Sequence, residues 1–147
     1  LLFNGRDELT GNNIAFLTDF IIDLFEHRYP EAVHLGMTQV ESVISEAMRN
    51  YGKSTLSVDS ETDELYRKPL NGLLYELEND LDEDWVEYMR YWYGDLSGQN
   101  LRNRIAHGYL PYRKANWGMA IILLFDILQT LLAFDDAFPQ VEAEDLN

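Results

Sequence analysis

The apolar run at residues 115–134 constrains the fold more than any other part of the chain. Leucine, isoleucine, phenylalanine and other apolar residues fill most of it, and polar residues interrupt it at Asp126, Gln129 and Thr130. A helix that is hydrophobic on all sides belongs in a protein core or in a subunit interface. The run approaches the roughly 20 apolar residues of a membrane span, but its polar interruptions favour burial within protein, and we expect no membrane partner. One small bundle cannot cover so much apolar surface, so we also expect a homodimer.

Apolar residues recur at helical spacing through most of the remaining chain. The first two helices meet at a tight corner, because the residue before Pro30 is disfavoured in the helix and the proline itself suits a helix start. No strand-like alternation of convincing length occurs. The prediction is an all-α bundle of five or six helices around one core. The predicted helices cover residues 11–29, 30–50, a segment that opens at 69, 85–93, a segment that ends near 108, and 115–134.

The chain of 147 residues has the length of a single domain, which we place at residues 1–147. Glycine, serine, threonine and acidic residues dominate positions 51–67, which predicts a flexible loop. The chain starts with leucine rather than methionine, so we expect a domain excised from a longer protein. It contains no cysteine, which excludes disulfides and thiolate metal sites and is consistent with a cytoplasmic location.

The formal net charge of −15 argues against broad electrostatic attraction to nucleic acid or to an anionic membrane. Eleven acidic residues lie within positions 59–87, opposed there only by Arg67 and Lys68. We interpret this region as a solvated acidic face. An alternative is a patch that docks a basic partner or repels off-target RNA.

One segment reverses this charge. No acidic residue lies between Asp95 and Asp126. A site that acts on an anion is therefore expected here, and the cations in this window are candidates for substrate binding or catalysis. They are Arg102, Arg104, Arg113 and Lys114.

The window also contains His107, and the spacing around it sets what a helix can bring together. Asn103 and His107 are four residues apart, so they share a helix face and can hydrogen-bond. Arg102 lies about 140° around the helix from His107, whereas Arg104 is three residues from the histidine. Spacing alone does not choose between the two arginines.

These residue types support cleavage of RNA without a metal. A histidine with a reference pKa of about 6.5 can take a proton from a 2′-hydroxyl or give one to the leaving 5′-oxygen. A guanidinium can bind phosphate oxygens and stabilise transition-state charge, and Tyr109 can donate a hydrogen bond to the same phosphate. His27 and His34 match no zinc spacing, so we expect neither a metal nor a cofactor. The alternative is a capped helix end that carries a surface histidine and arginine.

The sequence Asn-Leu-Arg-Asn-Arg-Ile-Ala-His-Gly at residues 100–108 resembles the motif of the HEPN superfamily. In that motif an arginine, a polar residue that is often asparagine, and a histidine a few positions later lie near the end of an all-α bundle. The form in this chain is similar to a group of HEPN domains found in larger defence-related proteins. The resemblance implies that Arg102 and His107 form a catalytic pair, that Asn103 orients them and that Arg104 occupies a variable position. Tyr109 matches a tyrosine of HEPN toxins that are paired with nucleotidyltransferase antitoxins.

The resemblance also implies a function and its partners. We expect a metal-independent endoribonuclease of the toxin or antiviral-defence type, with RNA as the substrate and two motifs joined in a homodimer. An antitoxin or a fused neighbouring domain would be a partner, and Tyr109 would then be a modification point. Arg104, Tyr109, Arg113 and Lys114 are the expected substrate-binding residues. The alternative is a non-catalytic dimerisation or scaffold module that keeps the motif helix for packing.

Overall fold

Helix α2 (Tyr29–Asn50) is the element on which the rest of the bundle is built. In the computed structural model, which describes residues 9–138, helices α1 (Gly11–Phe25) and α6 (Trp117–Ala137) both pack against it. They approach closely at Gly36, where a Cβ atom would lie 3.0 Å from the Phe20 ring and 3.3 Å from the Leu123 Cβ atom. The glycine therefore permits a close three-helix contact that a larger residue would force apart.

The described residues form six α-helices, which confirms the predicted all-α bundle with an apolar C-terminal helix. The short helices lie between α2 and α6 in the chain. They are α3 (Leu70–Glu76), α4 (Glu83–Met89) and α5 (Leu101–Ala106), with a π-helical turn at Arg90–Gly94 directly after α4 and a 3-10 turn at Tyr112–Lys114 after α5. The predicted helix at 85–93 is thus an α-helix that widens into a π turn.

Helix α6 buries one side and exposes another. Leu123, Ile127 and Phe134 are fully buried, whereas Trp117, Phe125 and Leu132 on the same helix are more than half exposed. Its mean hydropathy of 1.9 over 18 residues and its length of 21 residues match a membrane span by composition, as core helices of globular proteins also do. The exposed apolar side chains agree with the expectation that one bundle does not cover this helix.

The polar residues of α6 are integrated into the core. The buried Asp126 carboxylate accepts two hydrogen bonds from tyrosine hydroxyls. One comes from Tyr88 at 2.8 Å, and the other comes from Tyr93, which is fully buried. Burial raises the pKa of Asp126, and the two hydroxyls offset part of that rise. Burial and the carboxylate also raise the pKa values of Tyr88 and Tyr93. This cluster joins α6 to α4 and to the π turn that precedes α5.

Residues 51–67, predicted as a flexible loop, contain an antiparallel hairpin. Strands β1 (Leu56–Val58) and β2 (Leu65–Arg67) pair with Leu56 opposite Arg67. In the connection, the Asp59 carboxylate accepts backbone N–H groups at 2.8 and 3.0 Å, and these hydrogen bonds lower its pKa. Most hairpin side chains are exposed, so the strands lack the apolar alternation by which a sequence reveals a half-buried sheet.

Candidate functional site

The segment that leads into α5 is fixed by backbone contacts. The Gln99 N–H donates to the Tyr91 carbonyl at 2.8 Å, which ties the segment to the π turn. A Cβ atom on Gly98 would lie 2.1 Å from the same Tyr91 oxygen, so only glycine fits there. Asn100 then adopts a left-handed backbone with φ of 47° directly before the helix. The start of α5 therefore depends on local geometry rather than on a side-chain cap.

Helix α5 is anchored by the buried side chain of Leu101 and ends where the motif predicts. The backbone N–H of His107 donates to the Asn103 carbonyl at 3.0 Å, and Gly108 follows with φ of 70°. A positive φ at this position is favourable for glycine and ends the helix. The six residues of α5 thus present the motif side chains over less than two turns.

Arg102 points toward α2. Its Nε donates to the Glu41 carboxylate at 3.1 Å, and its Nη1 donates to the Asn103 Oδ1 at 3.2 Å. The guanidinium is half-buried, with 38% of its side chain exposed. Neither contact involves Nη2, so part of the guanidinium remains available to an anion. Glu41 lies 61 residues away in the chain and was not foreseen from the sequence.

His107 is exposed at the opposite end of the motif. Its ring stacks on the Tyr109 ring, with centroids 5.9 Å apart and planes inclined by 29°. The expected side-chain hydrogen bond between Asn103 and His107 is not formed: among the described residues they are linked through the backbone, and the Asn103 side chain contacts Arg102 instead. Within one chain, Asn103 therefore orients the guanidinium rather than the imidazole.

The remaining predicted binding residues are Arg104, which is half-buried, and Tyr109, Arg113 and Lys114, which are exposed. Tyr109 is 73% exposed, and the backbone N–H groups of Tyr109 and Leu110 both donate to the Arg104 carbonyl, which folds this segment back onto α5. Arg113 and Lys114 lie exposed in the 3-10 turn. Within residues 9–138, the side chains of Arg104, Arg113 and Lys114 form no ion pair. The positive charge predicted for this window is thus not neutralised by the acidic remainder of the described chain.

A second group of cations was missed by the sequence analysis. Arg49, Arg67 and Lys68 line a groove of about 380 Å³ together with Arg102, between α2, the end of the hairpin and α5. Lys68 is paired with Glu76 at 2.8 Å and Arg49 with Glu46. In the sequence, Arg67 and Lys68 lie inside the most acidic region, so no local pattern indicated that they meet the motif helix.

The structure contains no candidate metal centre within residues 9–138, because no three histidine or acidic side chains there are placed to hold an ion. The other two histidines have local partners: the Nδ1 atom of His27 lies 2.6 Å from the Tyr29 hydroxyl and that of His34 lies 2.7 Å from the Pro30 carbonyl.

The structure is thus an all-α bundle in which the short helix α5 lines one cationic groove and is followed by an exposed histidine. Comparisons of the chain with protein-family models, curated proteins and solved structures find no match.

Proposed function

We propose that the chain is a metal-independent endoribonuclease domain of HEPN type that acts in the cytoplasm as a toxin or defence effector. The observation that carries the proposal is the exposed imidazole of His107 directly after the short helix that carries Arg102, in a segment whose cations outnumber its acids. The sequence motif supplies the family expectation, and the free cations at Arg104, Arg113 and Lys114 support binding of a polyanion.

The reaction needs one group that accepts a proton and one that donates a proton, and the motif of a single chain supplies the acceptor. The 2′-oxygen of the RNA attacks the adjacent phosphorus while the neutral His107 imidazole takes its proton. The bond from phosphorus to the 5′-oxygen breaks, and the products are a 2′,3′-cyclic phosphate and a 5′-hydroxyl. The Nη2 group of Arg102 stabilises the added charge on the phosphoryl oxygens.

The leaving 5′-oxygen needs a proton that the same imidazole cannot give in that step. A second copy of the chain supplies one if two motifs face each other, and in that arrangement one His107 acts as the base and the other as the acid. The exposed apolar side chains of Trp117, Phe125 and Leu132 on α6 support such self-association. An antitoxin or a fused domain would regulate this cleft, with the exposed Tyr109 as a modification point.

A scaffold function is the second candidate, and the ion pair between Arg102 and Glu41 favours it. That contact joins α5 to α2 and so gives the motif arginine a structural role. A scaffold predicts that Arg102→Ala changes stability or self-association and abolishes no nuclease activity. Sedimentation of the wild type and the variant, combined with RNA cleavage assays, separates the two functions.

The proposed chemistry predicts that cleavage requires a free 2′-hydroxyl and no metal. We expect the purified protein to cleave a mixed-sequence RNA in EDTA and to leave the same RNA intact when every 2′-oxygen is methylated, because methylation blocks the attacking group. Gel analysis of both substrates measures this. Loss of cleavage in EDTA, or equal cleavage of the methylated RNA, would contradict the mechanism.

A further inference from the structure

The hairpin of β1 and β2 presents apolar side chains to solvent. Val58 lies opposite Leu65 on the neighbouring strand, and Leu56 precedes Val58 by two residues, so the three side chains share one face of the hairpin. The exposed fractions of these residues range from 44% to 68%. Apolar side chains that are exposed side by side are typical of a surface that binds another protein.

The connection between the two strands, residues 59–64, adds negative charge to this surface. It contains Asp59, Glu61, Asp63 and Glu64 and no cation. None of the four carboxylates forms an ion pair with any residue from 9 to 138. The hairpin therefore combines an open apolar face with an acidic tip whose charge is not neutralised by the described part of its own chain.

Residues 104–114, here called the basic segment, have the complementary character. The segment contains three cations and no acidic residue, and within the described chain those cations form no ion pair. Tyr109 and Tyr112 in the same segment are 73% and 82% exposed. Exposed rings next to free cations match an apolar hairpin face that ends in free carboxylates.

The two surfaces are close to the same helix. Arg67 and Lys68, at the end of the hairpin, line one groove with Ile105 and Ala106 of α5, and the basic segment continues from α5. Two copies related by a twofold axis make each contact twice, because every surface meets its complement on the other copy. The hairpin alone (residues 56–67) is smaller than the roughly 20 to 30 residues a side of a standard interface, whereas the hairpin and the basic segment together reach that size.

We propose that the hairpin of one copy of this chain docks on the basic segment of a second copy. The apolar face of the hairpin lies against the tyrosine rings, its acidic tip lies beside the cations, and the same contact is made in the reverse direction. Charge complementarity selects the second copy as the occupant, because a chain with a net charge of −15 presents few unpaired cations elsewhere.

The contact has a consequence for RNA. A docked hairpin covers the cations that are proposed to bind the substrate, so RNA and the hairpin compete for the basic segment. This consequence rests on the proposed function, whereas the association itself does not. Binding between copies is therefore measured without RNA.

The first test reverses the charge of the hairpin in the full chain. Glu61→Lys combined with Glu64→Lys is expected to raise the dissociation constant of self-association at least about tenfold, because each replacement turns attraction into repulsion and occurs twice in the pair. Sedimentation velocity over a range of micromolar concentrations measures this. The same change makes the chain less negative by four charges and so weakens the general repulsion between copies. A loss of association is therefore specific to the hairpin contact.

The control makes the same charge change on another surface. Glu78 and Glu87 are exposed and form no ion pair with any residue from 9 to 138. Glu78→Lys combined with Glu87→Lys should associate at least as tightly as the wild type. Circular dichroism of each variant verifies that it is folded.

The second test restores the contact between two different variants. Arg113→Glu combined with Lys114→Glu reverses the basic segment and should also weaken self-association at least about tenfold. A mixture of this variant with the hairpin variant regains both contacts, since the new lysines meet the new glutamates and the unchanged surfaces meet each other. Sedimentation of a fluorescein-labelled hairpin variant titrated with the basic-segment variant should give an affinity within about threefold of the wild type.

Weakened association of each variant alone, with recovery in the mixture, supports the proposal. A wild type that stays monomeric, a hairpin variant that associates like the wild type, or a mixture without recovery overturns it. Association through the exposed apolar side chains of α6 would give the second of these results. Cleavage of RNA by the wild type is scored separately, so a failure of the docking proposal leaves the nuclease proposal standing, and the reverse also holds.

Discussion

His107→Ala is expected to slow RNA cleavage by about 10² to 10⁴-fold, the range of general acid–base catalysis by a positioned side chain. The imidazole is exposed and contacts the Tyr109 ring, so its removal should leave the fold unchanged. Initial rates of cleavage of a labelled RNA in EDTA measure the effect. The matched control is His34→Ala, an exposed histidine of α2 whose Nδ1 contacts the Pro30 carbonyl. A His107→Ala protein that cleaves as fast as the control would remove the catalytic role.

The same assay defines the role of Arg102. Arg102→Ala removes the guanidinium and also breaks the contact with Glu41, whereas Glu41→Gln breaks the ion pair and keeps the guanidinium. If the arginine stabilises the transition state, Arg102→Ala loses about 10²-fold or more in rate, and Glu41→Gln cleaves at least as fast as the wild type. Equal losses in both variants would assign Arg102 to structure alone.

Tyr93→Phe is expected to lower the free energy of unfolding by about 2 to 3 kcal/mol, because a buried carboxylate loses a charge-assisted hydrogen bond. Tyr93 is fully buried and its hydroxyl donates to Asp126. Urea unfolding at neutral pH measures the change. The control is Tyr91→Phe in the same π turn, whose exposed hydroxyl contacts only the Gln99 amide at 3.3 Å among the described residues. The free energy of unfolding of Tyr91→Phe should stay within about 0.5 kcal/mol of that of the wild type. An equally small change for Tyr93→Phe would contradict the structural role of the cluster.

The pH dependence of stability also tests the cluster of Asp126, Tyr88 and Tyr93. A typical ion-paired aspartate contributes more stability as pH rises, and we expect Asp126 to contribute less. Because burial raises the folded-state pKa of Asp126, the folded protein holds this proton more tightly than the unfolded chain does. The stability gained is fully present below the unfolded pKa of about 3.9 and is lost as pH rises through the raised folded pKa. Urea unfolding across that pH interval gives the free energy of unfolding of the wild type and of Asp126→Asn. The wild-type value minus the variant value should therefore decrease with rising pH. An increase would mean that the carboxylate is stabilised as an anion.

The sequence was informative wherever a local pattern determines structure. The apolar run of α6, the proline in the first turn of α2 and the end of the motif helix before Gly108 all follow from residues a few positions apart. The predicted end of the first helix at residue 29 is wrong, because α1 ends at Phe25 and Tyr29 already belongs to α2. The acid-free window likewise predicted a positive surface. Arg104, Arg113 and Lys114 form no ion pair with any residue from 9 to 138. Each of these features depends on backbone preference, periodicity or local charge.

Features that depend on distant residues were beyond the sequence. Arg67 and Lys68 read as two cations within an acidic region, yet the fold places both beside Arg102 in one groove. Glu41 meets Arg102 across 61 positions, and Asp126 seemed only to interrupt an apolar helix until its tyrosine donors were located. No periodicity records such contacts, because their partners come from different helices.

The proposed reaction at α5 is cleavage of RNA by 2′-oxygen attack with His107 as the proton carrier. Mass spectrometry of the 3′ ends of RNA fragments formed in EDTA tests it most directly. We expect 2′,3′-cyclic phosphate ends from the wild type and none above background from His107→Ala. Fragments with 3′-hydroxyl ends, or cyclic phosphate at equal yield from both proteins, would contradict it.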